Sequence, residues 1–240
     1  MLGTVIKAEL NNMLRDKMYL VFALYPIILG GIGYFLINYI EERVAQDNLA
    51  PEILAMFLIL MTGYIFGALI AFTLLDDKDD LVLMSLKITP ISVKSYVIVK
   101  LVVAFIFGFV ATLVITLATS FLPNASFWSI MLISFTGALQ APGLTLIVNS
   151  FSRNKVEGFV VMKLSGLLLV LPVIAFFTMN WQEVFLVFAP GFWPARLIQI
   201  ELLPEFETNF NYITYFILGV IYNMLFLTLL MKIYTKKSNL

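Results

Sequence analysis

DDKDDLVLMSLKITPISVKSYVIVK, residues Asp76–Lys100, lies between two long apolar runs and holds four aspartates, four lysines and the short greasy segment Leu81–Leu86. A solvated loop has no use for Leu81, Val82, Leu83, Met84 and Leu86 together, and the flanking charges keep them out of hydrocarbon. Two arrangements satisfy both constraints: an interfacial loop packed on its own helices, or a docking helix for a soluble partner protein. The aspartates are expected to cap the first turn of this segment, because a helix N-terminus favours negative charge. A Mg2+ site on Asp76, Asp77, Asp79 and Asp80 is disfavoured, since Lys78 sits inside the cluster and no phosphate-handling residues accompany it.

Outward from this stretch the chain is greasy. It is 61% hydrophobic and only 12% charged over 240 residues, with a mean hydropathy of +0.99. Soluble domains are nearer half apolar and a quarter charged, so the composition is that of an integral membrane protein. There is no cysteine and no histidine. Disulfides, thiolate chemistry, imidazole metal sites and His-based triads are therefore excluded. No GxxxxGK[ST] phosphate loop occurs, so the chain does not hydrolyse ATP in the P-loop manner.

Six apolar runs each approach the ~20 residues that cross ~30 Å of hydrocarbon. They are read as spans over 18–40, 53–75, 101–122, 127–149, 159–178 and 212–233. Before them, residues 2–17 place Leu2, Val5, Ile6, Leu10, Met13 and Leu14 at helical spacing, with charges largely elsewhere on the wheel. That pattern predicts an amphipathic helix lying in the membrane interface. A signal-peptide n-region is the alternative, but the following run is too long for an h-region and no cleavage site follows it. Thirteen of the fifteen Lys and Arg fall on one side of this topology, leaving only Arg43 and Arg196 on the other. By the positive-inside rule both termini, the Asp76–Lys100 stretch and the loop Ser150–Gly158 are cytoplasmic. The outer segment 179–211 is too apolar for a solvated loop, and Pro190-Gly191 breaks it. Two short helices dipping into the outer leaflet, tryptophans at headgroup level, are expected there; an aromatic belt on an ordinary loop is the alternative.

No Asp, Glu, Lys or Arg lies in the middle third of any predicted span. This weakens a secondary transporter, which usually keeps a charge near the midplane, and no filter-like repeat supports a channel. Glu41, Glu42 and Arg43 read as solvated outer charge rather than an active site. Gly63 and Gly67 form a GxxxG, a spacing that lets helices approach closely within one chain or between two. Pro26, Pro142 and Pro172 are expected to kink or break their spans. Gln140, beside Pro142, is a mid-depth amide that either lines a polar path or is satisfied by a neighbouring backbone.

The order of parts resembles the type-2 exporter permeases of ATP-binding-cassette (ABC) transporters, over nearly the whole chain. The most specific piece is LLDDKDDLVLMSLKITPISVKSYVIVKL, Leu74–Leu101: an acidic cluster, a short apolar helix, a Thr-Pro-hydrophobic-Ser turn, then an aromatic and a Lys entering the third span. Thr89, Pro90, Ile91, Ser92, Tyr96 and Lys100 carry the match, while Asp80-Leu81 stands where many members have Gly-Thr. The variant is similar to permeases for fluoroquinolone or multidrug export. The resemblance implies an all-α polytopic protein of one domain, with an elbow helix, a cytoplasmic coupling helix and outer re-entrant helices before the last span. It implies that Leu81, Leu83, Met84, Leu86, Lys87, Thr89 and Pro90 dock into a separate ABC ATPase, with Arg153, Lys155 and Glu157 as a second contact. ATP and Mg2+ would then sit on the ATPase, with no cofactor in this chain. A second permease copy or a sister permease would complete the path in a bacterial cell membrane. Gly63, Gly67, Gln140 and Pro142 are the candidates for pathway or helix interface. A self-sufficient transporter or channel, or a non-transporting scaffold, is the competing function.

Overall fold

The computed structural model describes residues 15, 21–22, 24–44, 48–86, 88–178 and 180–237, and all regular structure among them is helical. The amphipathic helix expected over 2–17 and residue Lys87 lie outside the described residues, Arg15 excepted. The elements run α1 (Tyr25–Glu41), α2 (Ala50–Asp79), α3 (Val82–Leu86), α4 (Val93–Thr119), α5 (Phe127–Ala138), α6 (Gln140–Phe151), α7 (Lys155–Ser165), α8 (Leu171–Ile174), α9 (Phe192–Leu202) and α10 (Tyr212–Lys237). Short 3-10 turns join α7 to α8 and α8 to α9. Among the described residues, five continuous or nearly continuous helical rods are long and apolar enough to cross a membrane: Ala50–Asp79, Val93–Thr119, Phe127–Phe151, Lys155–Phe177 and Tyr212–Lys237. The chain is thus a multi-pass, all-α membrane protein. The run 18–40 is represented by α1, whose 17 described residues extend about 26 Å at 1.5 Å per residue.

α2 is the central rod. Its 30 residues begin with Pro51 and Glu52 in the first turn, where a proline lacks no needed hydrogen bond and an acid meets the positive helix end. At about 45 Å it is longer than the ~30 Å hydrocarbon layer. It packs on α1, α4, α6, α7 and α9. Its closest approaches depend on missing side chains. A Cβ on Gly63 would lie 2.8 Å from the Gly137 carbonyl oxygen, and one on Gly67 would lie 2.5 Å from that of Ala141. Thr145 Oγ1 donates to the Gly67 carbonyl at 2.9 Å and Asn149 Nδ2 to that of Ala71 at 3.1 Å, so polar side chains add to the seam.

Pro142 and Pro172 act as expected, whereas Pro26 stands in the first turn of α1, where a proline fits without a kink. The rod Phe127–Phe151 breaks at Leu139, between α5 and α6, three residues before Pro142; the ring removes the amide donor and crowds the carbonyl four residues back. Around Pro172 the next rod degenerates into 3-10 turns on both sides of the four-residue α8. Burial separates the rods: 78% of the apolar window in Phe127–Phe151 is enclosed, against 22% in α10. The described residues thus leave much of α10 and the outer flank of α4 uncovered.

Candidate functional site

At the lysine-rich end, α2 does not stop at Leu75 but runs on through Asp79, with Asp80 as its C-cap. The aspartates consequently occupy the last turn of α2 rather than the first turn of the coupling segment, which corrects the capping expectation. A helix C-terminus disfavours negative charge, and cations offset it. Lys100 Nζ lies 3.0 Å from Asp77 Oδ2, with the lysine almost fully enclosed, and Tyr96 donates to the same oxygen at 2.8 Å. Tyr96 and Lys100 thereby pin the start of α4 to the end of α2. Lys155 pairs with Asp76 and brings the second loop alongside. Among the described residues no group of three His, Cys, Asp or Glu converges as a metal site.

Leu81 then turns the chain in the left-handed region, φ 59°, an uncommon conformation for a residue with a Cβ. It frees the five-residue α3 from the axis of α2. Thr89 Oγ1 donates to the Leu86 carbonyl at 2.8 Å and accepts from the Ile91 amide at 3.3 Å, which folds the Thr-Pro turn. Ser92 caps α4 by accepting from the Ser95 amide. The greasy segment divides in two. Leu83 and Leu86 pack on a core cluster that includes Leu74, Val93, Val97, Leu146 and Leu230. Leu81, Met84 and Ile88 point away, 55%, 66% and 91% exposed. Pro90 is exposed beside them. In the neighbouring loop, Arg153, Lys155 and Glu157 are exposed; Asn154 caps α7 on the Glu157 amide while the Glu157 carboxylate accepts from the Arg153 amide at 2.7 Å. This is a reciprocal arrangement close to a capping box.

The four pathway candidates separate. Gly63 and Gly67 are filled by the α2–α5/α6 contact described above and belong to the helix interface. Gln140 donates to the Gly137 carbonyl at 3.3 Å and borders a small space of about 20 Å3 with Tyr64, Leu169 and Gly191, room for one water. Pro142 lines a different, entirely apolar groove of about 250 Å3 between α4, α6 and α10, with Phe105, Leu139 and Leu227.

A match to a family model covers residues 9–231, nearly the whole chain; its description is fluoroquinolones export permease protein Rv2686c-like. The chain belongs to this family. Among curated proteins it is similar to the fluoroquinolones export permease proteins Rv2686c of Mycobacterium tuberculosis strain ATCC 25618 / H37Rv and MT2760 of strain CDC 1551 / Oshkosh. Each is 23% identical over 247 residues, covering 95% of this chain and 92% of the relative.

This member of the Rv2686c-like family also holds a charged cluster that sequence reasoning passed over. Arg196 on α9 is 1% exposed and lies 2.9 Å from Glu183. Tyr215 of α10 donates to both Glu183 oxygens, at 3.0 and 2.9 Å. Arg196 Nη1 also reaches Gln199 Oε1 at 2.6 Å and the Ala175 carbonyl at 3.2 Å. The carbonyl belongs to the 3-10 turn after α8, so one guanidinium joins the broken rod, α9 and, through Glu183, α10. Trp193, expected at headgroup level, is instead buried against α10: a Cβ on Gly219 would lie 2.7 Å from its Cβ. Trp181, the other tryptophan of this outer segment, is exposed, at 68%. The signal available in the sequence was an Arg–Gln pair at i, i+3 inside a largely apolar helix.

Proposed function

We propose that this chain is the membrane-embedded permease subunit of an ABC exporter, moving a hydrophobic or amphipathic drug of the kind its relatives are named for. In this reading six spans cross the membrane, residues 2–17 form an interfacial elbow, and both termini face the cytoplasm. ATP and Mg2+ belong to a separate ATPase subunit, and α3 is the coupling helix that receives its motion. The observation that carries the proposal is the division of the coupling segment. Leu83 and Leu86 root it in the bundle, while Leu81, Met84 and Ile88 stand exposed beyond the end of α2. Such an apolar centre with a charged rim suits a protein contact and leaves the rooted side to pass a push into α2 and α4.

The drug path is assigned to the groove at Pro142. Drug-sized sites measure about 300–1,000 Å3, and the apolar groove offers about 250 Å3 on an open face. One protomer thus supplies one wall, and a second copy or a sister permease supplies the other. The test is Met84→Asp in cells that make the partner ATPase. ATPase recovered with the tagged permease should fall at least about tenfold, the loss of ~1.4 kcal/mol or more of contact. Undiminished recovery would contradict the assignment.

A further inference from the structure

At the lysine-rich end a cavity of about 420 Å3 opens between the ends of α2, α6, α7 and α10. Three cations line it from three elements: Lys78 of α2, Arg153 of the α6–α7 loop and Lys237 of α10. Glu157 is the one carboxylate among the described residues of the lining, and one of its oxygens is already occupied by the Arg153 amide. Ser150 and Ser152 also line the cavity. Both are more than nine-tenths buried, yet neither hydroxyl has a hydrogen-bond partner among the described residues. Buried hydroxyls left unpaired are costly, and an acceptor-rich ligand resolves that cost. Lys237 sits 3.9 Å over the Phe151 ring, which holds its ammonium near the rim, and Phe151 is 54% exposed.

We propose that this cavity binds one phosphate-class anion, with the phosphate of an anionic phospholipid as its source. Tetrahedral phosphate accepts from guanidinium, ammonium and hydroxyl groups at once, which is the donor set assembled here. The cavity lies at the ends of helices long and apolar enough to cross a membrane, and basic pockets between such helices hold lipid headgroups. Phe151 offers apolar surface to the glycerol and first methylenes of the lipid.

The test uses the full-length chain purified in an uncharged detergent, with thermal unfolding and native mass spectrometry as readouts. The probes are phosphatidylglycerol, phosphatidylcholine, inorganic phosphate and a hexaglutamate peptide. Phosphatidylglycerol should raise the unfolding temperature by several degrees and remain bound one per chain. Lys237→Gln, and separately Lys78→Gln, should remove at least half of that shift, whereas Lys94→Gln, the same charge change on the exposed start of α4, should leave it intact. Stabilisation by inorganic phosphate alone, lost in the same variants, supports the site and makes its source a soluble ion. Equal shifts with phosphatidylcholine, an equal loss in Lys94→Gln, or a response to hexaglutamate only would overturn the proposal, the last in favour of an acidic protein contact.

Discussion

Arg196 and Glu183 are enclosed among aromatic rings, with Phe192, Phe206 and Tyr215 all within 6.0 Å of the guanidinium. Buried ion pairs of this kind add little net stability over apolar packing, but removing one partner strands the other charge. Glu183→Gln is therefore expected to cost about 3–5 kcal/mol, read as earlier thermal unfolding in detergent. Glu183→Gln combined with Arg196→Met should cost less than Glu183→Gln alone; a double variant as unstable as the sum would refute the pairing. Single atoms decide the helix seam as well. A methyl on Gly67 would meet backbone, 2.5 Å from the Ala141 carbonyl oxygen, whereas one on Gly31 meets nothing within 4 Å among the described residues. Gly67→Ala should thus lose about 1–3 kcal/mol from overpacking, while Gly31→Ala should be neutral in the same unfolding assay. The glycine spacing was legible in the sequence. The Arg196–Glu183 pair was not, because its partners are thirteen residues apart and only the folding of α9 into the bundle brings them together.

α3 shows what five residues accomplish when their two faces differ. Leu83→Asp places a charge against the core cluster around Leu74 and Leu230, so it should lower thermal stability by several kcal/mol, as buried unpaired charges do. Met84→Asp changes an exposed position and should leave the unfolding free energy within about 0.5 kcal/mol of wild type while weakening the proposed ATPase contact. Equal stability of the two variants would show that the faces have been misassigned. Hydropathy located α3, because a greasy segment among charges must be covered by something. It could not tell which residue faced inward, since that depends on the turn at Leu81, where φ is 59°. Nor could it set the end of α2: the aspartates stop the apolar run without stopping the helix, and Lys100, Tyr96 and Lys155 compensate them from other elements.

Across the whole molecule, apolar runs of membrane length gave away the rods, and Pro142 and Pro172 gave away two of the interruptions. What composition could not reveal is which rods lie inside, since lipid-facing and buried helices are equally apolar. Orientation is open to direct measurement because the chain contains no cysteine. A single cysteine at Asn124 should react with an impermeant maleimide in intact cells and one at Asn154 only after permeabilisation; the reverse would invert the topology. The proposed powering of transport by a partner is tested most directly by reconstitution. Proteoliposomes holding the permease with its ATPase should move a fluoroquinolone only when ATP is hydrolysed, and the permease alone should move none under any ion gradient. Gradient-driven drug flux by the permease alone would contradict the account.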